Sequence, residues 1–108
     1  MNKFEAVLLF SPDISSQILS KEEEKFQDQI KKSDGLIIST EDWGLRDLSY
    51  NIKNFKKSFY KFYQIEMNGN YIQDIKKNLT QNEKILRHLF IKVNQHQELP
   101  TKLAYEKK

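Results

Sequence analysis

Cysteine is absent from the 108 residues. That excludes a disulfide framework and any thiolate metal site. Histidine occurs twice, at His88 and His96, and no His-Glu spacing suited to a metal is present. Glycine occurs three times and proline twice. No Gly-rich phosphate loop can be built from so few, and a low-complexity chain is excluded. No apolar run approaches the length of a membrane span. The segment Met1–Phe10 has one lysine, a short apolar run and no small-residue cleavage site. It reads as a first strand and not as a signal peptide, so a cytoplasmic protein is expected.

What remains is a charged chain long enough for one modest core. Charged residues make up 31% and hydrophobic ones 38%, with a net charge of +3. The charge is unevenly placed. Residues 1–42 hold 5 basic and 9 acidic side chains, whereas residues 43–92 hold 10 basic and 4 acidic. A basic second half suits a polyanionic partner on one side; a solvated charged surface is the plainer reading of the same counts.

Hydrophobic periodicity gives the elements. Phe4, Ala6, Leu8 and Phe10 alternate with Glu5, Val7 and Leu9. This is a strand that is apolar on both faces beyond Glu5, so one face waits for a partner. From Ile14 the spacing changes to four, through Ile18, Glu22, Phe26 and Ile30 with Leu19 beside Ile18, which predicts a helix ending at Ser33-Asp34-Gly35. Leu36–Thr40 and the alternating Leu48, Tyr50 and Ile52 predict a long second strand, bent or bulged at Trp43-Gly44. Leu48, Tyr50 and Ile52 are expected to point into the core. A lysine-bearing turn over Asn54–Ser58 leads to a third strand, Phe59–Met67. There Tyr63, Ile65 and Met67 should face the helices and Tyr60 and Phe62 should face outward. Ile72, Ile75 and Leu79 mark a second helix, and Ile85–Val93 a last strand.

The order β-α-β-β-α-β predicts an α+β, ferredoxin-like fold: a four-stranded antiparallel sheet with two helices on one face. Residues 1–93 make the domain and 94–108 a C-terminal tail without a firm pattern. The uncovered sheet face is where function is expected.

No catalytic constellation is present, and no enzyme activity or cofactor is expected. His88 reads as packed or surface-exposed, His96 as solvated, and the pair Glu41-Asp42 as surface charge. The aromatics of "SFYKFYQI" invite comparison with base-stacking RNA modules, but the glycine-interrupted signature of such modules is missing. The basic residues are more informative. Arg46, Lys53, Lys56, Lys57 and Lys61 fall within one hairpin with Asp47 as the one opposing charge. Such side chains reach phosphates without disturbing a core.

The stretches "GLRDLSYNIK", "NKFEAVLLFSPDI", "YQIEMNGN" and "KILRHLFIKV" closely resemble those of the bacterial small-subunit ribosomal protein six family. The resemblance covers about residues 2–93. It implies a structural role in the small ribosomal subunit, with the central domain of its RNA and ribosomal protein eighteen as partners. It implies no membrane, small-molecule substrate or cofactor. The RNA-binding residues expected on this basis are Lys3, Arg46, Lys53, Lys56, Lys57, Arg87 and Lys92. Those expected at the protein partner are Val7, Leu9 and Arg46. The chain departs from the family at Lys57-Ser58-Phe59, where a glycine commonly precedes the aromatic. Two other readings stay open: a stand-alone single-stranded RNA module stacking bases on Tyr60 and Phe62, and a small-ligand regulatory domain.

Overall fold

A computed structural model describes residues 2–96. Four strands, β1 (Asn2–Phe10), β2 (Leu36–Ile52), β3 (Phe55–Met67) and β4 (Ile85–Val93), form one sheet in the order β2-β3-β1-β4. All three pairings are antiparallel. Helix α1 (Ser16–Lys32) joins β1 to β2, and α2 (Ile72–Gln81) joins β3 to β4. This is the expected ferredoxin-like arrangement.

The core lies between the sheet and the helices. Phe4, Ala6, Leu8 and Phe10 of β1 meet Tyr63, Ile65 and Met67 of β3, under Phe26 and Ile30 of α1 and Ile72, Ile75 and Leu79 of α2. Period-two and period-four patterns therefore converge on one buried layer. The apolar stripe of α1 differs from the expected one at its start. Ile18 is exposed, while Leu19 beside it packs on the core as expected. The helix begins only after Ser15, whose Oγ accepts from the Ile18 amide. Ile18 therefore lies in the first turn, at the end of the helix farthest from Phe26 and Ile30 in sequence.

The end of α1 also differs in detail. Asp34, and not Gly35, takes the left-handed conformation, with φ 58°. Gly35 is needed for space. A Cβ there would sit 2.9 Å from both Ile30 Cγ2 and Met67 Cβ.

The bulge expected at Trp43-Gly44 is present: the β2–β3 register shifts between Asp42 and Gly44, and Gly44 has φ 76°. The lysine turn is shorter than expected. Lys53 and Asn54 alone make it, both with positive φ, and Ile52 pairs with Phe55 across it. A two-residue turn of this hand matches the twist of the flanking strands. Lys56 and Lys57 thus belong to β3.

Leu48, Tyr50 and Ile52 do not enter the core. Leu48 and Ile52 are half-buried, and Tyr50 is 59% exposed. The reason is length. Strand β1 pairs with β3 only from Phe59 to Met67, so the hairpin beyond Ser58 outruns β1 and the core beneath it. Alternation persists there, but the side chains lie outside the core layer.

Candidate nucleic-acid and protein interface

Two regions of the surface concern function: the end of the sheet where the hairpin projects, and the sheet face away from the helices.

At the hairpin end the expected basic residues gather. Lys53 sits in the turn, while Lys56 and Lys57 follow it and are exposed. Lys57 lies 3.5 Å from Asp47 on the facing strand, with both side chains largely in solvent. The Arg46 Nε donates to the Trp43 carbonyl at 3.0 Å, which holds the side chain against the bulge. The hairpin tip reaches back across the sheet: Arg87 of β4 donates to the Tyr50 hydroxyl. Lys53 and Arg87 line one cleft with Thr80, Leu86 and His88. Burial, and then the neighbouring Lys76, holds the His88 imidazole below its ordinary value of 6.5, which favours the neutral form.

Lys3 and Lys92 lie elsewhere. Lys3 pairs with Val93 and Lys92 with Phe4, at the opposite end of the sheet from Phe10 and Ile85. Six residues of strand separate Lys3 from Leu9, about 20 Å at strand rise. Five of the seven expected RNA contacts, Arg46, Lys53, Lys56, Lys57 and Arg87, are therefore brought together and two are not.

Lys61, grouped with this hairpin in sequence, is not available to a polyanion. Its ammonium bridges Glu23 of α1 at 2.9 Å and Asp42 of β2 at 3.1 Å. Burial alone would lower its pKa, but the two carboxylates outweigh that and raise it. Asp42 also accepts from the Gly44 amide at 2.8 Å, and Glu41 accepts from Trp43 Nε1 at 2.9 Å. The acidic pair thus fastens the bulge.

The open sheet face is more structured than alternation alone implies. Phe62 stands opposite Val7, and its ring stacks on Trp43 at 5.1 Å with an interplanar angle of 11°. Phe62 is 2% and Trp43 6% exposed. Beside them Gln64 donates to the buried Glu5 carboxylate at 3.1 Å. His96 lies 3.5 Å from the same carboxylate and its side chain is only 13% exposed, so it is not solvated as expected. The chain bends at Asn94 and Gln95 and turns back onto the sheet. Leu9 is buried and Val7 half-buried. Leu89 and Ile91, paired with Val7 and Glu5, are accessible apolar side chains on this face, 49% and 51% exposed. The signal for them was in the sequence: β4 is apolar on both faces, just as β1 is.

A family model for ribosomal protein S6 matches residues 3–92. The chain belongs to the ribosomal protein S6 family. It is similar to the small ribosomal subunit protein bS6 of Rickettsia felis, 33% identical over 95% of this chain and 85% of that one. The bS6 protein of Pelagibacter ubique is 34% identical over 86% of this chain and 77% of its own length. In fold it matches the crystal structure of 30S ribosomal protein S6 from Thermotoga maritima, with a TM-score of 0.81 over 85% of this chain and 87% of that one, at 19% identity. As an S6-family protein of the small subunit, the chain is assigned to the cytoplasmic ribosome. The departure at Ser58 has a structural counterpart. Its side chain is fully buried, and the hydroxyl donates to the Phe10 carbonyl at 2.8 Å, bonding β3 to the end of β1. The buried hydroxymethyl group is accommodated because its hydroxyl has this carbonyl to donate to.

Proposed function

We propose that the chain is a structural, non-catalytic protein that binds the central domain of small-subunit ribosomal RNA jointly with ribosomal protein eighteen. The observation that carries this reading is the convergence of Arg46, Lys53, Lys56, Lys57 and Arg87 at one end of the sheet. Cations so grouped, Arg46 half-buried and the other four exposed, neutralise phosphates and release counterions, which gives affinity that falls with salt. The protein partner docks on the open face, where Leu89 and Ile91 offer apolar area beside Val7. Lys3 and Lys92 then serve a separate, weaker RNA contact, or none.

The stand-alone base-stacking reading loses support. Phe62 lies against Trp43 and is almost fully buried, so its ring presents no open surface to a base. A net charge of +3 is also small for holding structured RNA at physiological salt.

A filter-binding titration with each protein alone and with both together tests the proposal. Weak binding alone and tight binding together is the expected result. Replacing Lys53, Lys56 and Lys57 by glutamine should weaken joint binding and flatten its salt dependence, by about one unit of log–log slope for each phosphate no longer neutralised. Val7→Glu should impair joint binding more than Lys76→Glu, which lies on the second helix. Tight RNA binding by this chain alone would overturn the joint mode and restore the stand-alone reading.

A further inference from the structure

Tyr50 is a large aromatic side chain that the core does not take in. It lies near the end of β2, on the projecting hairpin, and is mostly exposed. Among the described residues its ring stacks on no other ring, whereas Phe62 is packed flat on Trp43. A solvent-facing tyrosine ordinarily samples several rotamers, with water at its hydroxyl. This one is tethered. Arg87, on the opposite edge strand and 37 residues away in sequence, donates to the hydroxyl. The oxygen end is fixed and the ring is left open. Holding the ring in one place beforehand lowers the cost of binding anything to it.

The surroundings suit an RNA strand. Lys53 follows Tyr50 in the turn, and Lys56 and Lys57 come just after it, all three exposed. Arg87 keeps further N–H donors for a phosphate or a base edge. Lys53 and Arg87 also flank a cleft of about 270 Å³ floored by the buried Leu79, Ile85 and Leu86. An open aromatic face among cations is what a single-stranded stretch requires, since any base can stack on the ring while the neighbouring phosphates are neutralised. A simple clasp between the hairpin and β4 would use the hydroxyl alone and has no need of an exposed ring.

We propose that Tyr50 is a base-stacking residue: one unstacked base of the bound RNA lies on its ring, which Arg87 holds in place, with the adjoining phosphates at Lys53 and Arg87. The inference rests on the hairpin end being the RNA contact, and it adds to phosphate neutralisation a contact that does not depend on salt. The base comes from a bulge, a loop or a strand end, because a base inside a duplex has no free face to offer. The contact is distinct from the open-face module, in which bases would stack on Tyr60 and Phe62 in the middle of the sheet.

An NMR titration of the full chain at low salt tests the contact with no partner protein present. The probe is a single-stranded adenosine hexanucleotide, compared with the same ribose-phosphate backbone lacking bases. Both should shift the amides of Lys53, Lys56 and Lys57. Only the adenosine strand should move the Tyr50 ring protons upfield, through the ring current of the stacked base. Lysine shifts without the ring shift would overturn the stacking and leave the phosphate contact standing. No shift at the hairpin with either probe would overturn both. Joint binding to the central-domain RNA gives the second measurement. Tyr50→Ala should weaken it about 5- to 100-fold with the salt slope unchanged, as the loss of one stacked base does. Tyr50→Phe keeps the ring and should bind nearly as tightly as the wild type, while Tyr50→Leu should weaken as Tyr50→Ala does. Wild-type affinity in Tyr50→Ala would overturn the proposal. So would Tyr50→Phe as weak as Tyr50→Ala, which would make the clasp the functional part, or Tyr50→Leu as tight as Tyr50→Phe, which would reduce the contact to apolar burial. The titration needs no partner, so failure of joint binding leaves this proposal standing.

Discussion

Tyr63→Phe should stabilise the protein. Tyr63 is 1% exposed, and its ring packs at 4.9 Å from that of Phe26 in the centre of the core. Its hydroxyl, however, is buried without a hydrogen-bond partner. Leaving such a group unpaired costs about 1–3 kcal/mol, whereas removing it keeps the ring packing intact. A gain of about 1 kcal/mol is expected at pH 7, which for a domain of this size raises Tm by about 4–8 °C. The same residue gives a second, independent signature. Burial above all, with the carboxylates of Glu23 and Asp42 adding to it, pushes the phenol far above its ordinary value of 10.0. Below that value the phenol is protonated in both folded and unfolded chains, and its titration has no effect on stability. Above it the unfolded chain releases the proton and the folded chain does not. The wild type therefore loses stability with a slope approaching about 1.4 kcal/mol per pH unit from this group alone. Lys61, whose folded-state pKa is also raised, adds a loss of the same sign, so the difference between wild type and Tyr63→Phe isolates the phenol. Urea melts of both proteins at pH 7 and at about pH 11 make the measurement, and the advantage of the variant should widen at the higher pH. A variant less stable than wild type by about 1 kcal/mol at pH 7 would show that the hydroxyl has a partner and that the reasoning fails.

Three further outcomes can be checked by the same melts. Tyr50→Ala should shift stability by less than about 1 kcal/mol, since the ring is mostly in solvent, whereas Leu8→Ala should cost about 2–5 kcal/mol; similar midpoints for the two variants would contradict the placement of the hairpin outside the core. Ser58→Ala should cost about 1 kcal/mol, because it strands the Phe10 carbonyl that the hydroxyl now serves; a more stable variant would mean that the carbonyl is satisfied elsewhere. Lys61→Met should destabilise by about 1–3 kcal/mol at neutral pH, leaving Glu23 and Asp42 facing each other without the ammonium between them, and the loss should shrink when both carboxylates are protonated in acid.

Element type and order were legible because periodicity is a local property. Period two in Phe4–Phe10 and period four from Glu22 to Ile30 each report which side of the chain is buried, and with two helical segments among four strands the split β-α-β arrangement follows. Family membership was legible for a related reason: the element order and the stretches near Gly44, Met67 and Ile85 are properties of the chain read in line. What lay beyond sequence was decided by lengths and by contacts between distant residues. Leu48, Tyr50 and Ile52 alternate as a buried strand does, yet β1 ends at Phe10 and the hairpin runs past it, so they stay outside the core, half-buried or exposed. Lys61 sits among lysines in the sequence, yet its side chain is claimed by Glu23, which is 38 residues away and on another element. Lys3 and Lys92 look like further members of a basic set, but antiparallel pairing carries them to the far end of the sheet. His96 follows the last strand by three residues and reads as a solvated tail residue, until the chain bends and sets it over Glu5. Periodicity states which face of an element is apolar. Only the packed sheet states how far each element extends over its neighbours, and that extent decides which apolar side chains are buried and which cations remain exposed.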